Sequence, residues 1–284
     1  MSGAFELFAP AKLNLCLYVG PARSDGLHEI CSLFAPLSLA DRLVLSPSDR
    51  DEVVIAGIDG PDLTERALGL LRSAGWGHDP VRIEVEKLIP VAAGLGGGSA
   101  DAAAVLRLAA GELGEERLAA IAWELGADVA SQLRPTFSLV AGAGEEIEML
   151  PAPAEFSAVL IADPEGLSTA AVYAEADRLG ATRSPERLAE IRTRLLSAAR
   201  AGVHPLEYAP LLVNDLAPAA LSLRPSIGVA LELLTEVGAP VTIVTGSGPT
   251  AVGLFESRDG AVAAATELRA EGHEALVASA VEGI

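Results

Sequence analysis

Four glycines within five positions, Gly94, Gly96, Gly97 and Gly98, restrict what this chain can build more than any other stretch of it. Upstream, Val81, Ile83 and Val85 alternate with Arg82, Glu84 and Glu86, the period of a half-buried strand, and Pro90 ends it. Downstream, Ala102, Ala103, Ala104, Val105, Leu106, Leu108 and Ala109 are mostly strong helix formers, with Ser99 or Asp101 positioned to cap the helix they make. A flexible turn is the plain alternative, but ordered glycine costs backbone entropy, and a run of it is useful where backbone must approach something closely. Bare N–H groups between a strand end and a helix N-terminus form a cradle for an anion. Two common anion loops do not fit the letters. A P-loop requires G-x-x-x-x-G-K-[ST], and no lysine follows these glycines in that register; G-x-G-x-x-G fails because Ser99 stands at its sixth position.

A chain of 284 residues holds one large or two medium domains, each able to bury a core. Half of it is hydrophobic, yet no run reaches the roughly 18 to 20 apolar residues of a membrane span, and the N-terminus lacks the pattern of an export signal. Cys16 and Cys31 give neither a disulfide framework nor a metal spacing, which suits a reducing cytoplasm. A formal charge of −19, from 39 acids against 20 bases, argues against nucleic acid and anionic membranes as partners. Any anionic ligand must then be held by local donors.

Residues 10–19 alternate: Leu13, Leu15, Leu17 and Val19 form a core face, while Lys12, Asn14, Cys16 and Tyr18 form the other, suited equally to solvent or to a polar site. Asp25 and Gly26 make a turn before His28, which read alone is an ordinary loop histidine. Strands continue over 31–58 around a polar turn at 46–51, and a helix is predicted over 62–75. This βββαβα order suits an α+β domain rather than a βαβ parallel sheet. A helix over 115–125 stops at Gly126, and Asp128 beyond it has the plain role of capping the next helical turn. Pro151 to Ala154 marks the junction between domains 1–150 and 151–284. In the second domain, strands at 158–162, 241–245, 251–255 and 275–278 and helices at 184–200, 226–237 and 259–271 predict helices on an antiparallel sheet.

The stretch Pro90-x-x-x-Gly94-Leu95-Gly96-Gly97-Gly98-Ser99 resembles the phosphate loop of the GHMP kinases. Pro10-Ala11-Lys12-Leu13-Asn14-Leu15, followed by Asp25-Gly26-x-His28, is similar to the N-terminal signature of the diphosphocytidyl-methylerythritol kinases within that superfamily. Gly126-Ala127-Asp128-Val129, Gly142-x-Gly144-Glu145, Asn214-Asp215-Leu216 and the Gly246-Ser247-Gly248 turn resemble further family segments in the same order. There are departures. Leu27 replaces an aromatic before the histidine, Ala130-Ser131-Gln132 replaces a proline and two aromatics, Pro249 replaces an alanine, and Ala100 stands where relatives often carry a second serine.

The resemblance implies a two-domain GHMP kinase fold of the α+β class, with an N-terminal ribosomal-protein-S5-like domain and a C-terminal ferredoxin-like α/β sandwich. It implies a cytoplasmic kinase, monomer or homodimer, that uses ATP and Mg²⁺ to phosphorylate the 2-hydroxyl of 4-diphosphocytidyl-2-C-methyl-D-erythritol in the non-mevalonate isoprenoid pathway. Lys12 and Asp128 are the implied catalytic pair. Pro90, Val91, Ala92, Ala93, Gly94, Leu95, Gly96, Gly97, Gly98, Ser99 and Ala100 are the implied ATP loop, with Ser99 as a hydroxyl contact for Mg²⁺ on the phosphates. Asn14, His28 and Tyr173 are implied substrate contacts, although Tyr173 also reads as a partly buried core residue. A GHMP kinase of other acceptor specificity would not need Asp25-Gly26-x-His28, and a non-catalytic nucleotide-binding member would not need Lys12 and Asp128 together.

Overall fold

The computed structural model describes residues 4–57 and 62–283; the last position of the strand stretch expected over 31–58 therefore lies outside the described residues. The chain packs as two compact units that interleave along the sequence. One takes residues up to Ala11, Leu39–Val91 and Gly96–Pro135; the other takes Lys12–Ser38, Ala92–Leu95 and the chain from Thr136 onward. Strands β1 (Phe5–Ala22) and β2 (His28–Pro47) contribute residues to both.

In the first unit the sheet contains the C-terminal part of β2, β3 (Glu52–Ile55) and β4 (Val81–Glu86). The alternation in β4 holds: Val81, Ile83 and Val85 are buried, and Leu43 and Leu45 of β2 lie opposite Val85 and Ile83 in an antiparallel ladder. β3 pairs with β4 in parallel, Val53 opposite Ile83. The sequence pattern argued against any βαβ unit, and here there is one. Helix α1 (Leu63–Ser73) crosses between neighbouring strands, and a helical crossover returns the chain in its original direction. The pairings of β2 with β4 and with Ser138–Gly142, of Ser138–Gly142 with Glu146–Met149, of Ser157–Ile161 with Ala251–Phe255 and Leu276–Ser279, and of Val241–Val244 with Ala251–Phe255 are antiparallel, so the α+β class stands.

Helix α2 (Gly97–Arg107) packs on α1, followed by α3 (Ala110–Leu113), α4 (Glu115–Leu125) and α5 (Ala127–Gln132). All residues of α2 from Ala100 to Leu106 are buried. A helix apolar on every side belongs inside a core, and its alanines let neighbours approach closely. Asp101 is the one charge in that run, and burial obliges it to find a partner.

In the second unit β5 (Ser138–Gly142) pairs with the N-terminal part of β2 and with β6 (Glu146–Met149), the Gly142-to-Glu145 turn joining β5 to β6. A separate antiparallel sheet runs β10 (Leu276–Ser279), β7 (Ser157–Ile161), β9 (Ala251–Phe255), β8 (Val241–Val244). Helices α9 (Ser226–Glu236) and α10 (Arg258–Ala270) bury Leu234, Ala264, Ala265 and Leu268 against Val159 and Phe255 of that sheet. Helices α6 (Thr169–Leu179) and α8 (Ala217–Leu223) add Val172, Ala176, Ala219 and Ala220 to a neighbouring cluster with Leu17 and Val19 of β1. Helix α7 (Pro185–Ala199) buries Leu188, Ile191 and Leu195. Among the described residues no single helix is long and apolar enough to cross a membrane.

Candidate active site

The glycine loop begins its helix earlier than the side chains suggest. The N-cap is Gly96, at φ 71°, and its carbonyl accepts the Ala100 amide at 2.8 Å. Ser99 and Asp101 therefore lie inside α2 rather than at its cap, because a left-handed residue at 96 has already turned the chain into the helix. No side chain caps the first amides of α2. Those donors, with the positive end of the helix dipole, suit an anion.

Within the second unit the middle of the loop is fastened at three successive residues. Thr250 Oγ1 donates to the Ala93 carbonyl at 2.7 Å, and the Lys12 amide donates to the Leu95 carbonyl at 2.9 Å. Between them Gly94 has φ +77°, and a Cβ there would sit 2.7 Å from the Gly248 carbonyl oxygen and 2.9 Å from that of Thr245. Only glycine allows this approach. The turn at 245–250 is held from behind by Asn214, whose Nδ2 donates to the Val244 and Gly246 carbonyls, each at 2.7 Å.

Lys12 and Asn14 are buried, at 6% and 2% exposure, although their face of β1 was left open to solvent by the sequence pattern. Solvent is the reading that fails: Leu13, Leu15 and Leu17 are buried on one face, and Lys12, Asn14, Cys16 and Tyr18 on the other. Lys12 Nζ donates to Asn14 Oδ1 at 2.6 Å and lies 4.7 Å from the Phe34 ring centroid. Asn14 is in turn fixed by its backbone N–H donating to Thr245 Oγ1 at 2.9 Å and by Nδ2 donating to Ser32 Oγ at 2.9 Å. Cys16 and Cys31 are free thiols whose ionisation is pushed up by burial, Cys31 to about 12, so both are neutral packing groups.

His28 opens β2 rather than standing in a loop, with its side chain 8% exposed. Its Nε2 lies 2.9 Å from Asp177 Oδ1, and its ring centroid lies 5.1 Å from that of Tyr173. Since an ionised carboxylate only accepts, the proton belongs on Nε2 in the neutral ring. Tyr173 also packs against the Leu17 and Val19 cluster, so its ring serves the core and faces His28 at once. Leu27, where relatives carry an aromatic, is 48% exposed.

Asp128, in the first unit, is the second residue of α5, whose N-cap is Gly126; the cap role read from the sequence does not hold. A carboxylate in that first turn is favoured by the helix dipole. The departures from the family pattern beside it have structural work. Ser131 Oγ donates to the Asp128 carbonyl at 2.9 Å, and buried Gln132 donates through Nε2 to the Pro10 carbonyl at 3.0 Å.

One group escaped the sequence reading. Lys87, just after β4, donates to Asp101 Oδ2 at 2.7 Å and to Asp41 Oδ2. Burial, opposed by Lys87 and reinforced by Asp41, pushes the Asp101 carboxyl up to about 7. The available signal was scarcity: Lys12 and Lys87 are the only lysines in the chain. Asn214 and Thr250 carried no such signal. Among the described residues no three His, Cys, Asp or Glu side chains cluster as a metal site.

Comparison with known proteins gives the same family over most of the chain. Residues 62–135 match the family described as GHMP kinases N terminal domain, and residues 205–274 match GHMP kinases C terminal. The chain is 41% identical over 275 residues to the 4-diphosphocytidyl-2-C-methyl-D-erythritol kinase of Nocardia farcinica, covering 93% of this chain and 89% of that one. It superposes on a crystal structure of 4-(cytidine 5'-diphospho)-2C-methyl-D-erythritol kinase with TM-score 0.79 at 35% identity, covering 97% of this chain and 98% of that one. A homoserine kinase from Cytophaga hutchinsonii, at TM-score 0.72 and 20% identity with 100% and 96% covered, shares the fold.

Proposed function

The chain belongs to the GHMP kinases, and within them to the 4-diphosphocytidyl-2-C-methyl-D-erythritol kinases; from that membership we propose that it moves the γ-phosphoryl of ATP to the 2-hydroxyl of 4-diphosphocytidyl-2-C-methyl-D-erythritol, a cytoplasmic step of the non-mevalonate route to isoprenoid precursors. The observation that carries this reading is the fastening of Lys12. Its amide bonds the Leu95 carbonyl in the glycine loop at 2.9 Å, and Asn14 steers its ammonium at 2.6 Å. A cation tied to a phosphate-binding loop is what phosphoryl transfer demands, because positioning and stabilisation of spread negative charge supply most of the acceleration.

In this reading the amides of the Pro90 to Ala100 loop hold the ATP phosphates, which the chain's net charge of −19 would otherwise repel. Asp128 accepts the proton of the acceptor hydroxyl as its oxygen attacks the γ-phosphorus and the bond to the β-phosphate oxygen breaks, releasing ADP. Lys12 stabilises charge on the group in transfer. His28 and Tyr173 hold the cytosine, and Asn14 holds the acceptor. Mg²⁺ would be carried on the phosphates, with Ser99 as the neighbouring hydroxyl, and would neutralise their charge; that ion commonly takes few protein ligands and several from the nucleotide and water.

The test is ADP formation by the purified chain with ATP and Mg²⁺, comparing the cytidyl substrate with mevalonate and homoserine. ADP is expected with the cytidyl substrate alone, and Lys12→Ala and Asp128→Asn should each lower kcat by about 100-fold or more. Transfer that survives both substitutions would sink the roles given to them.

A further inference from the structure

Lys87, Asp41 and Asp101 form a closed ionic group in the first unit. The two carboxylates are 0% and 1% exposed and the lysine side chain 13%. The ammonium is bonded to both acids. The remaining bonds have a direction. Asp41 Oδ1 accepts the amides of Leu88 at 2.6 Å and Ile89 at 2.8 Å, the residues that lead into the glycine loop. Asp101 belongs to α2, the helix into which the loop runs. One ammonium thus ties the chain just before the loop to the helix just after it.

The fit around the ammonium is close. A Cβ on Gly97, the first residue of α2, would lie 3.2 Å from Lys87 Nζ and 3.1 Å from Ile89 Cγ2. The lysine therefore passes directly beneath the start of the helix whose first amides carry no side-chain cap. Asp101 Oδ1 is buried with no hydrogen-bond partner, so that acid hangs on Lys87 through its other oxygen. A buried carboxylate so dependent on one donor is costly, and ordinary packing of a small alanine-rich helix does not require it.

We propose that Lys87, with Asp41 and Asp101, is a positioning group that fixes the separation of the two ends of the glycine loop and so aims the loop amides at the nucleotide phosphates. The inference rests on the reading of that loop as the ATP site. Lys87 touches neither ATP nor acceptor in this scheme; it acts through the backbone of 88–89 and the first turn of α2.

The test measures ATP and acceptor separately on the full chain. Lys87→Met should raise the Kd for a non-hydrolysable ATP analogue, titrated by calorimetry, by about 10-fold or more, while the KM for the cytidyl acceptor stays within about twofold. Lys87→Arg should not restore binding, because a planar guanidinium on a longer stem does not reproduce the bonds that one compact ammonium makes to both Asp41 and Asp101. Should Lys87→Met fail to give a folded chain by circular dichroism, Asp41→Asn decides, since it keeps the shape but turns a donor toward Lys87; the same split is expected. A folded variant whose analogue Kd stays within about twofold of the unsubstituted chain overturns the proposal, as does an equal rise in both constants. Failure of the unsubstituted chain to bind the analogue would instead overturn the nucleotide reading of the loop.

Discussion

Two glycines four residues apart in one loop should respond to alanine in opposite ways. At Gly94 the backbone is left-handed, φ +77°, which costs an L-residue about 1–2 kcal/mol. The new Cβ would also stand 2.7 Å and 2.9 Å from two backbone carbonyl oxygens of the 245–248 turn, and neither is the end of a flexible side chain. Forced separation of packed backbone adds about 1–3 kcal/mol. Gly94→Ala should therefore lose about 2–5 kcal/mol and melt roughly 5–15 °C lower. Gly98 lies within α2, has no positive φ, and a Cβ there meets nothing within 4 Å. Alanine should gain about 0.5–1 kcal/mol from reduced backbone entropy. Whatever Gly98→Ala costs must then be paid against a ligand, and if the loop amides hold phosphate the ATP Kd should rise about 10-fold, roughly 1.4 kcal/mol. Scanning calorimetry gives the melts and isothermal titration the affinity. A Gly94→Ala chain that melts and turns over like the unsubstituted one would refute the close approach of loop and turn. A Gly98→Ala chain that melts higher and binds ATP unchanged would refute phosphate binding at the start of α2.

Asp177→Ala removes the acceptor at 2.9 Å that orients His28, and should raise the KM for the cytidyl substrate about three- to tenfold with the KM for ATP unchanged; an effect on ATP alone would contradict the assignment of His28 to the base. Asp101 gives a pH dependence of stability. Its carboxyl is raised to about 7 when folded, so the stability gained from its proton is complete below the unfolded value of about 3.9 and is lost as pH rises through about 7. Asp101→Asn stays neutral throughout, so its stability relative to the unsubstituted chain should improve steadily from pH 4 to pH 8, read by urea unfolding; a constant difference would show that Asp101 is ionised across the range.

The parts of the site legible in the sequence are those written locally. The glycine run, the alternation of β4 and the apolar spacing of α4 need only neighbours within a few residues, and each element forms, although β4 ends at Glu86, short of Pro90, and α2 starts at Gly97, ahead of the caps expected at Ser99 or Asp101. The second face of β1 is different. Whether Lys12 and Asn14 meet water depends on what covers them, and Asn14 is held by Thr245, 231 residues away. Asn214 shows a residue doing two jobs. Its Oδ1 accepts the Leu216 amide at 2.9 Å, a local contact two residues on, while its Nδ2 clamps the turn at 246, which no local pattern announces.

Lys87 is illegible for a similar reason, since its partners lie 46 residues before it and 14 after it. Composition nonetheless carried a trace. In a chain that draws the rest of its 20 Lys and Arg residues from arginine, the two lysines are both enclosed, Lys12 at 6% exposure and Lys87 with its side chain at 13%. Arginine serves the open surface well because its planar fork pairs with carboxylates there. Beside Gly97, where an added Cβ would come within 3.2 Å of the charge, the compact ammonium of lysine stands between two acids. Lysine at position 87 thus answers to two acids at once, one holding the chain after β4 and the other belonging to α2.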